Sequence, residues 1–145
     1  MMLKGFYKTG VDEIDRQNFN LINHIEAMMD PENKGTKLTQ LQNFEGLVKK
    51  YFENEERLHA ECRYLAADRH RYAHEVFIKM LQQIKREFIE TGITLENENI
   101  FKEHVVGFFV NNIMDGDKTF GIFYHNNVLS KNNVGPVNPY VQAAV

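Results

Sequence analysis

At 145 residues the chain is long enough for one domain with a real core and too short for two comfortable ones. Hydrophobic residues make up 43% and charged residues 26%, an ordinary folded composition rather than a disordered one. The net charge is -3 and the lysines and arginines are scattered, so the one-signed basic face that a phosphate backbone requires is missing and nucleic acid is not an expected partner. No apolar run approaches the roughly 20 residues of a membrane helix. The opening Met1-Met2-Leu3-Lys4-Gly5-Phe6 lacks the apolar stretch of a secretory signal. Cys62 has no second cysteine to pair with, which fits a reducing compartment, and a cytoplasmic location is the expectation.

Four segments carry helical periodicity. The first runs from about Asp12 to Met29, with Ile14, Leu21, Ile25 and Met28 on one stripe, and breaks at Asp30-Pro31-Glu32-Asn33-Lys34-Gly35. The second runs from about Lys37 to Glu61, striped by Leu41, Phe44, Val48 and Phe52. The third starts near Ala66, carries Phe77, Leu81, Ile84 and Phe88, and stops at Thr91-Gly92. Thr94 is placed to cap the fourth, which passes through Phe101, Val105 and Phe108 to about Tyr124. Helices of this length with short connections predict an all-α, antiparallel up-down four-helix bundle over residues 1–130. Residues 131–145 differ in kind. Gly135, Pro136 and Pro139 forbid a continuing helix, and Val134, Val137, Tyr140 and Val141 give an extended tail some apolar grip. That tail is either a loose terminus or an arm for its own bundle, a second copy or a protein partner.

Polar residues interrupt each apolar stripe. Asn18 falls between Ile14 and Leu21; Tyr51, Glu55 and His59 follow one another at four-residue steps; His70 and His74 lead into Phe77; Asn112 continues the line of Phe101, Val105 and Phe108. Buried without partners, such groups cost a few kcal/mol apiece (about 2 or more), so they must meet one another, water or an ion. Two imidazoles with one or two carboxylates suit iron, zinc or manganese. Tyr51 has two readings, a phenolate ligand to ferric iron or a buried hydroxyl bonded to Asn18, Glu55 or water. His24, His104 and His125 have no companion at ligand spacing, and Glu56 is expected to face another helix or solvent.

These residues resemble the hemerythrin and bacteriohemerythrin family. Gly10-Val11-Asp12-Glu13-Ile14-Asp15-Arg16-Gln17 is similar to the family's opening Gly…Ile-Asp-x-Gln stretch. Phe52-Glu53-Asn54-Glu55-Glu56, Tyr64, His70-x-x-x-His74-x-x-Phe77, then Ile113, Asp117, Phe120 and Phe123-Tyr124, follow in order, so the likeness spans roughly residues 3 to 125. In that family five histidines and two bridging carboxylates hold two irons, and oxygen binds at the iron that has two histidines. The resemblance implies that Glu55 and Asp117 are the bridging carboxylates and that His70 and His74 are two of the three histidines on the other iron. Asn112 stands where the third belongs, and Asn18 and Tyr51 stand where both histidines of the oxygen-binding iron belong.

The expected function is therefore a hemerythrin-like non-haem metal-binding protein with a remodelled site, mononuclear or asymmetric dinuclear, and not a standard reversible oxygen carrier. Iron is the expected cation, with zinc, manganese or no metal as the other outcomes. His59, one turn beyond Glu55, replaces the methionine usual in the family and is placed to approach His70, completing a displaced site of Glu55, His59, His70, His74 and Asp117. Five residues beyond Asn112, Asp117 lies about 140° around an ideal helix, off the inward stripe. No dedicated general base or substrate pocket is visible, so an enzyme is not expected. The alternative is a metal-free interaction or assembly module, holding a buried polar network and docking through its tail.

Overall fold

The computed structural model describes residues 8–30, 32–33 and 37–129. They form an all-helical bundle: α1 (Asp12–Met29), α2 (Lys37–Glu61), α3 (Ala67–Thr91) and a fourth rod, α4, over residues 95–129. The boundary at residue 130 and the expected tail over 131–145 lie outside the described residues. Among those residues, no helix is long and apolar enough to cross a membrane.

Local chemistry sets each boundary. Asp12, Glu13 and Asp15 put negative charge on the first turn of α1, where the helix dipole favours it. The chain leaves α2 through Arg63, held at φ 54°, and α3 ends at Gly92 with φ 75°, where a residue lacking Cβ is unstrained. Thr94 caps α4 as its sequence position predicts. Its hydroxyl accepts from the Asn97 backbone N–H at 3.1 Å, and the Asn97 side chain accepts from the Thr94 N–H at 2.8 Å.

The predicted stripes of α1, α2 and α3 are all buried, and apart from Ile14 they pack into one apolar core with Phe101, Val105, Phe109 and Ile113 of α4. Glu45 meets Lys85 at 2.7 Å, Phe52 stacks on His74, and His59 lies beside His70, so late residues of α2 pair with early residues of α3. A smaller apolar cluster of Val11, Ile14 and Phe120, with Leu58, Cys62, Tyr64, Phe123 and Tyr124 around it, closes one end. Glu55, His59, His70, His74 and Asp117 occupy the layer between the two clusters.

The fourth helix departs from expectation in a single, consistent way. An ideal α-helix returns to the same face by mixed steps of three and four, which predicts the line Phe101, Val105, Phe108, Asn112. The buried line is instead Phe101, Val105, Phe109, Ile113, Asp117, in unbroken steps of four. Such steps would drift about 160° over sixteen residues of ideal helix. Two π-helical turns, Phe101–Val105 and Phe109–Met114, prevent this. Each takes in one extra residue through i→i+5 bonding, and together they absorb the roughly 1.6 residues by which four steps of four exceed four α turns. Phe108 is consequently only half-buried, Asn112 is exposed, and Asp117 is 0% exposed. The rod also runs past Tyr124, through a third wide turn, His125–Leu129.

The lead-in to α1 is strapped to the far end of α4. Asp15 accepts from both the backbone N–H and the hydroxyl of Thr9 at 2.7 Å and from the Gly10 N–H at 3.2 Å. The His125 ring reaches the Gly10 carbonyl at 2.8 Å. Gly121 lets this strap lie against α4, because a Cβ there would stand 2.2 Å from the Thr9 carbonyl oxygen. Alanine is the better helix former by about 1 kcal/mol, yet Gly121→Ala should destabilise the protein by about 1–3 kcal/mol through overpacking. Chemical denaturation of the two proteins measures the difference, and a stabilised variant would contradict this packing.

Candidate metal centre

Three helices supply the inward polar layer and a fourth fixes it. Glu55 and His59 share a face of α2, His70 and His74 share a face of α3, and the π-widened α4 brings in Asp117. The four residues Glu55, His70, His74 and Asp117 each offer one ligand atom, all within 4.8 Å of one another, and all four are buried; this group could hold a metal ion. The Oε1 atom of Glu55 is its hub. The Nε2 atom of His70 lies 2.6 Å from that oxygen and 2.9 Å from Asp117 Oδ1. The Nε2 atoms of His59 and His74 approach the same Glu55 oxygen at 3.4 and 3.8 Å.

The far sides of these groups are tied down. Asn18, buried on α1, donates to Asp117 Oδ2 at 2.7 Å. Glu56 Oε2 lies 2.8 Å from His74 Nδ1, and this carboxylate favours the tautomer with the proton on Nδ1 and the lone pair on Nε2, facing the cluster. Phe52 stacks on the same ring at 3.7 Å, almost parallel. Gly116 gives His70 its room, since a Cβ there would fall 2.4 Å from ring atoms Cε1 and Nδ1.

The inward atoms have no such ties. Glu55 Oε1, His70 Nε2, His74 Nε2, Asp117 Oδ1 and both nitrogens of His59 are enclosed and make no hydrogen bond of proper geometry. Separations of 2.6 and 2.9 Å from His70 Nε2 to Glu55 and Asp117 suit an ion shared among these atoms or an imidazolium between two carboxylates, but the Nε2 atoms of His59 and His74 find no hydrogen-bond partner. Buried polar atoms are rarely left so. The donor set, imidazole with carboxylate, suits a first-row metal rather than calcium or magnesium, which prefer all-oxygen sites.

Electrostatics sort the three imidazoles. Burial pulls His70 down, but the adjoining carboxylates of Asp117 and Glu55 more than offset it and raise its pKa to about 10. Burial, then the charge of Glu55, pushes Asp117 up to about 7. Burial, then the charge on His70, drives His59 down to about 4, and burial also lowers His74 against the pull of Glu56. At neutral pH His70 is thus protonated and Asp117 about half so, while His59 and His74 keep lone pairs.

Some sequence-predicted positions fall elsewhere. Asn112 does not line the buried layer; it is exposed, on a cleft of about 340 Å³ between α3 and α4 that also touches Tyr64, His70 and Gly116. Tyr51 is half-buried, and its hydroxyl takes a hydrogen bond from Asn20 at 2.6 Å rather than from Asn18, Glu55 or the cluster. His59 does lie beside His70, with ring centroids 5.0 Å apart, and is 1% exposed. Glu56 does face another helix, as one of its two expected placements had it, and meets His74 of α3. Spacing within α2 does not reveal its role, but the pairing that sets Glu45 by Lys85 and His59 by His70 puts Glu56 opposite His74.

No protein-family profile, curated protein or solved structure matches this chain.

The titration of His70 has a measurable sign. Its folded pKa of about 10 exceeds the ordinary 6.5, so its proton stabilises the fold fully below 6.5, and that stabilisation drains away as pH rises through 10. Asp117, raised from 3.8 to about 7, loses its own contribution as pH rises through 7, and little of it is left by about pH 8. Metal-free protein held in chelator should therefore lose about 1 kcal/mol of stability per pH unit between pH 7.5 and 9. Denaturant titrations check this, and His70→Gln should flatten the slope; an equal slope in the variant would assign it to other groups.

Proposed function

We propose that the protein is a cytoplasmic non-haem metal-binding protein on an antiparallel, hemerythrin-type four-helix bundle, with iron as its cation. The observation that carries this reading is the set of dry, inward atoms on Glu55, His70, His74 and Asp117 that the protein itself leaves without hydrogen bonds. The cation would supply Lewis acidity in a water-poor layer. The chain's own residues place it: Glu56 sets the His74 tautomer, Asn18 aims Asp117, and Gly116 seats His70.

The hemerythrin resemblance supports the bundle and the ligand positions, and its departures shape the function. Where the family's oxygen-binding iron takes two histidines, this chain has Asn18, which donates to Asp117, and Tyr51, which is engaged by Asn20. Neither offers an imidazole nitrogen. We therefore read the protein as neither a standard reversible oxygen carrier nor an enzyme. A protein partner or second copy bound through residues 131–145 belongs to this proposal, although that segment lies outside the described residues.

One observation favours a metal-free interaction module instead. Protonated His70 sits between Glu55 and Asp117 at 2.6 and 2.9 Å and can balance their charge without an ion. Elemental analysis of protein purified without chelator separates the two. Metal in a fixed ratio to chain, lost in both His70→Ala and His74→Ala, is expected. Stripping it should lower stability by about 2.7 kcal/mol for an ion at a hundredfold its Kd, or roughly 5–10 °C in Tm for a chain of this size. Metal-free protein whose Tm ignores both chelator and added ions would establish the module.

A further inference from the structure

His59 is the residue that packing alone does not explain. Its ring sits among aromatic neighbours, 4.3 Å from Phe120 and 5.1 Å from Tyr64 between centroids, and is 1% exposed. A phenylalanine or methionine would fill that space without polar atoms. The imidazole instead brings two nitrogens, and neither has a hydrogen-bond partner. Burying an unmade donor and acceptor opposes folding, so the ring is retained against its own packing cost. One of the two, Nε2, stands 3.4 Å from Glu55 Oε1.

The distances also suit one cation better than two. Ligand atoms bonded at about 2.1 Å and at right angles lie about 3 Å apart. The approaches to Glu55 Oε1, 2.6 and 3.8 Å from His70 and His74, bracket that value, and the 2.9 Å between His70 and Asp117 lies close to it. His59, 3.4 Å from the same oxygen, stands just outside the group of four whose ligand atoms all lie within 4.8 Å of one another, so its ring would turn inward to share the ion. A pair of cations would sit about 3.5–4 Å apart and draw on both oxygens of a bridging carboxylate. In Asp117 the second oxygen is occupied by the Asn18 amide. The next polar group along, the Tyr51 hydroxyl, is held by Asn20.

Resting on the metal-binding reading above, we propose that the centre holds one cation, not two, and that His59 is its third imidazole ligand beside His70, His74, Glu55 and Asp117. The ion is of the first-row class that accepts mixed nitrogen and oxygen donors, divalent or ferric.

Cobalt(II), whose visible bands report coordination, is the probe. Wild-type protein should bind one cobalt per chain. His59→Phe, which suits the Phe120 and Tyr64 surroundings, should melt no lower than wild type when metal-free, yet bind cobalt at least tenfold more weakly and with shifted bands. Cobalt bound equally tightly, with the same spectrum, in His59→Phe would return His59 to a packing role and overturn the proposal while leaving metal binding intact. Two cobalts per chain would overturn the single-ion count. Absence of cobalt binding in wild type would sink the metal reading itself and this proposal with it. Should His59→Phe fold poorly, X-ray absorption of the zinc-loaded wild type decides alone: three imidazoles per ion are expected, and two would refute the assignment.

Discussion

Two carboxyl groups, Glu55 and Asp117, face each other in a layer from which water is largely shut out, and their mutual repulsion has to be answered by positive charge. Asp117 shows the strain, since burial and the charge of Glu55 hold its pKa near 7. His70 gives the immediate answer by keeping a proton up to about pH 10. Yet one N–H of an imidazolium must serve two carboxylates here, and it leaves the nitrogens of His59 and the Nε2 of His74 without a hydrogen-bond partner. A spherical charge meets several lone pairs at once without a directional demand. Much of the surrounding architecture holds this layer in place: the Asn18 and Glu56 tethers, the stacked Phe52, and the space left by Gly116.

The same layer explains why α4 is not a plain helix. Its apolar residues recur at every fourth position from Phe101 to Ile113, a rhythm slower than the α-helical repeat, and Asp117 continues it. Wide turns at Phe101–Val105 and Phe109–Met114 reconcile the rhythm with one buried face. A π turn is less favourable than an α turn and is found mostly where a side chain must be re-aimed for a purpose. Here the side chain delivered is a carboxylate, into a site where no apolar contact would reward it.

Much of this was legible beforehand, for a physical reason. In α1, α2 and α3 the stripes follow ideal helical geometry, so Leu21, Phe44 and Phe77 declared their burial, and Glu55, His59, His70 and His74 declared their shared faces. Asn18 was also legible as an inward polar group, although not as the partner of Asp117. Spacing misleads where the helix is not ideal. Uninterrupted α geometry turns Phe108 and Asn112 inward and leaves Asp117 off the stripe, whereas the wide turns do the opposite. Glu56 and Asn20 escaped for another reason: each acts across to a neighbouring helix, and spacing within one helix carries no information about that. The resemblance to hemerythrins placed Asp117 correctly inside where periodicity did not.

The Asn18–Asp117 hydrogen bond joins residues 99 positions apart, and the strap between Gly10 and His125 joins residues 115 apart. Contacts of such separation form only after the intervening chain has been drawn together, so they belong to the closing stage of folding. The hairpin of α2 and α3 can align its imidazoles with Glu55 early and locally. The second carboxylate arrives only when the last helix docks against the first. A nascent chain still short of Asp117 lacks one of the two carboxylates, and on the proposed reading a firm grip on an ion would be a mark of the finished bundle.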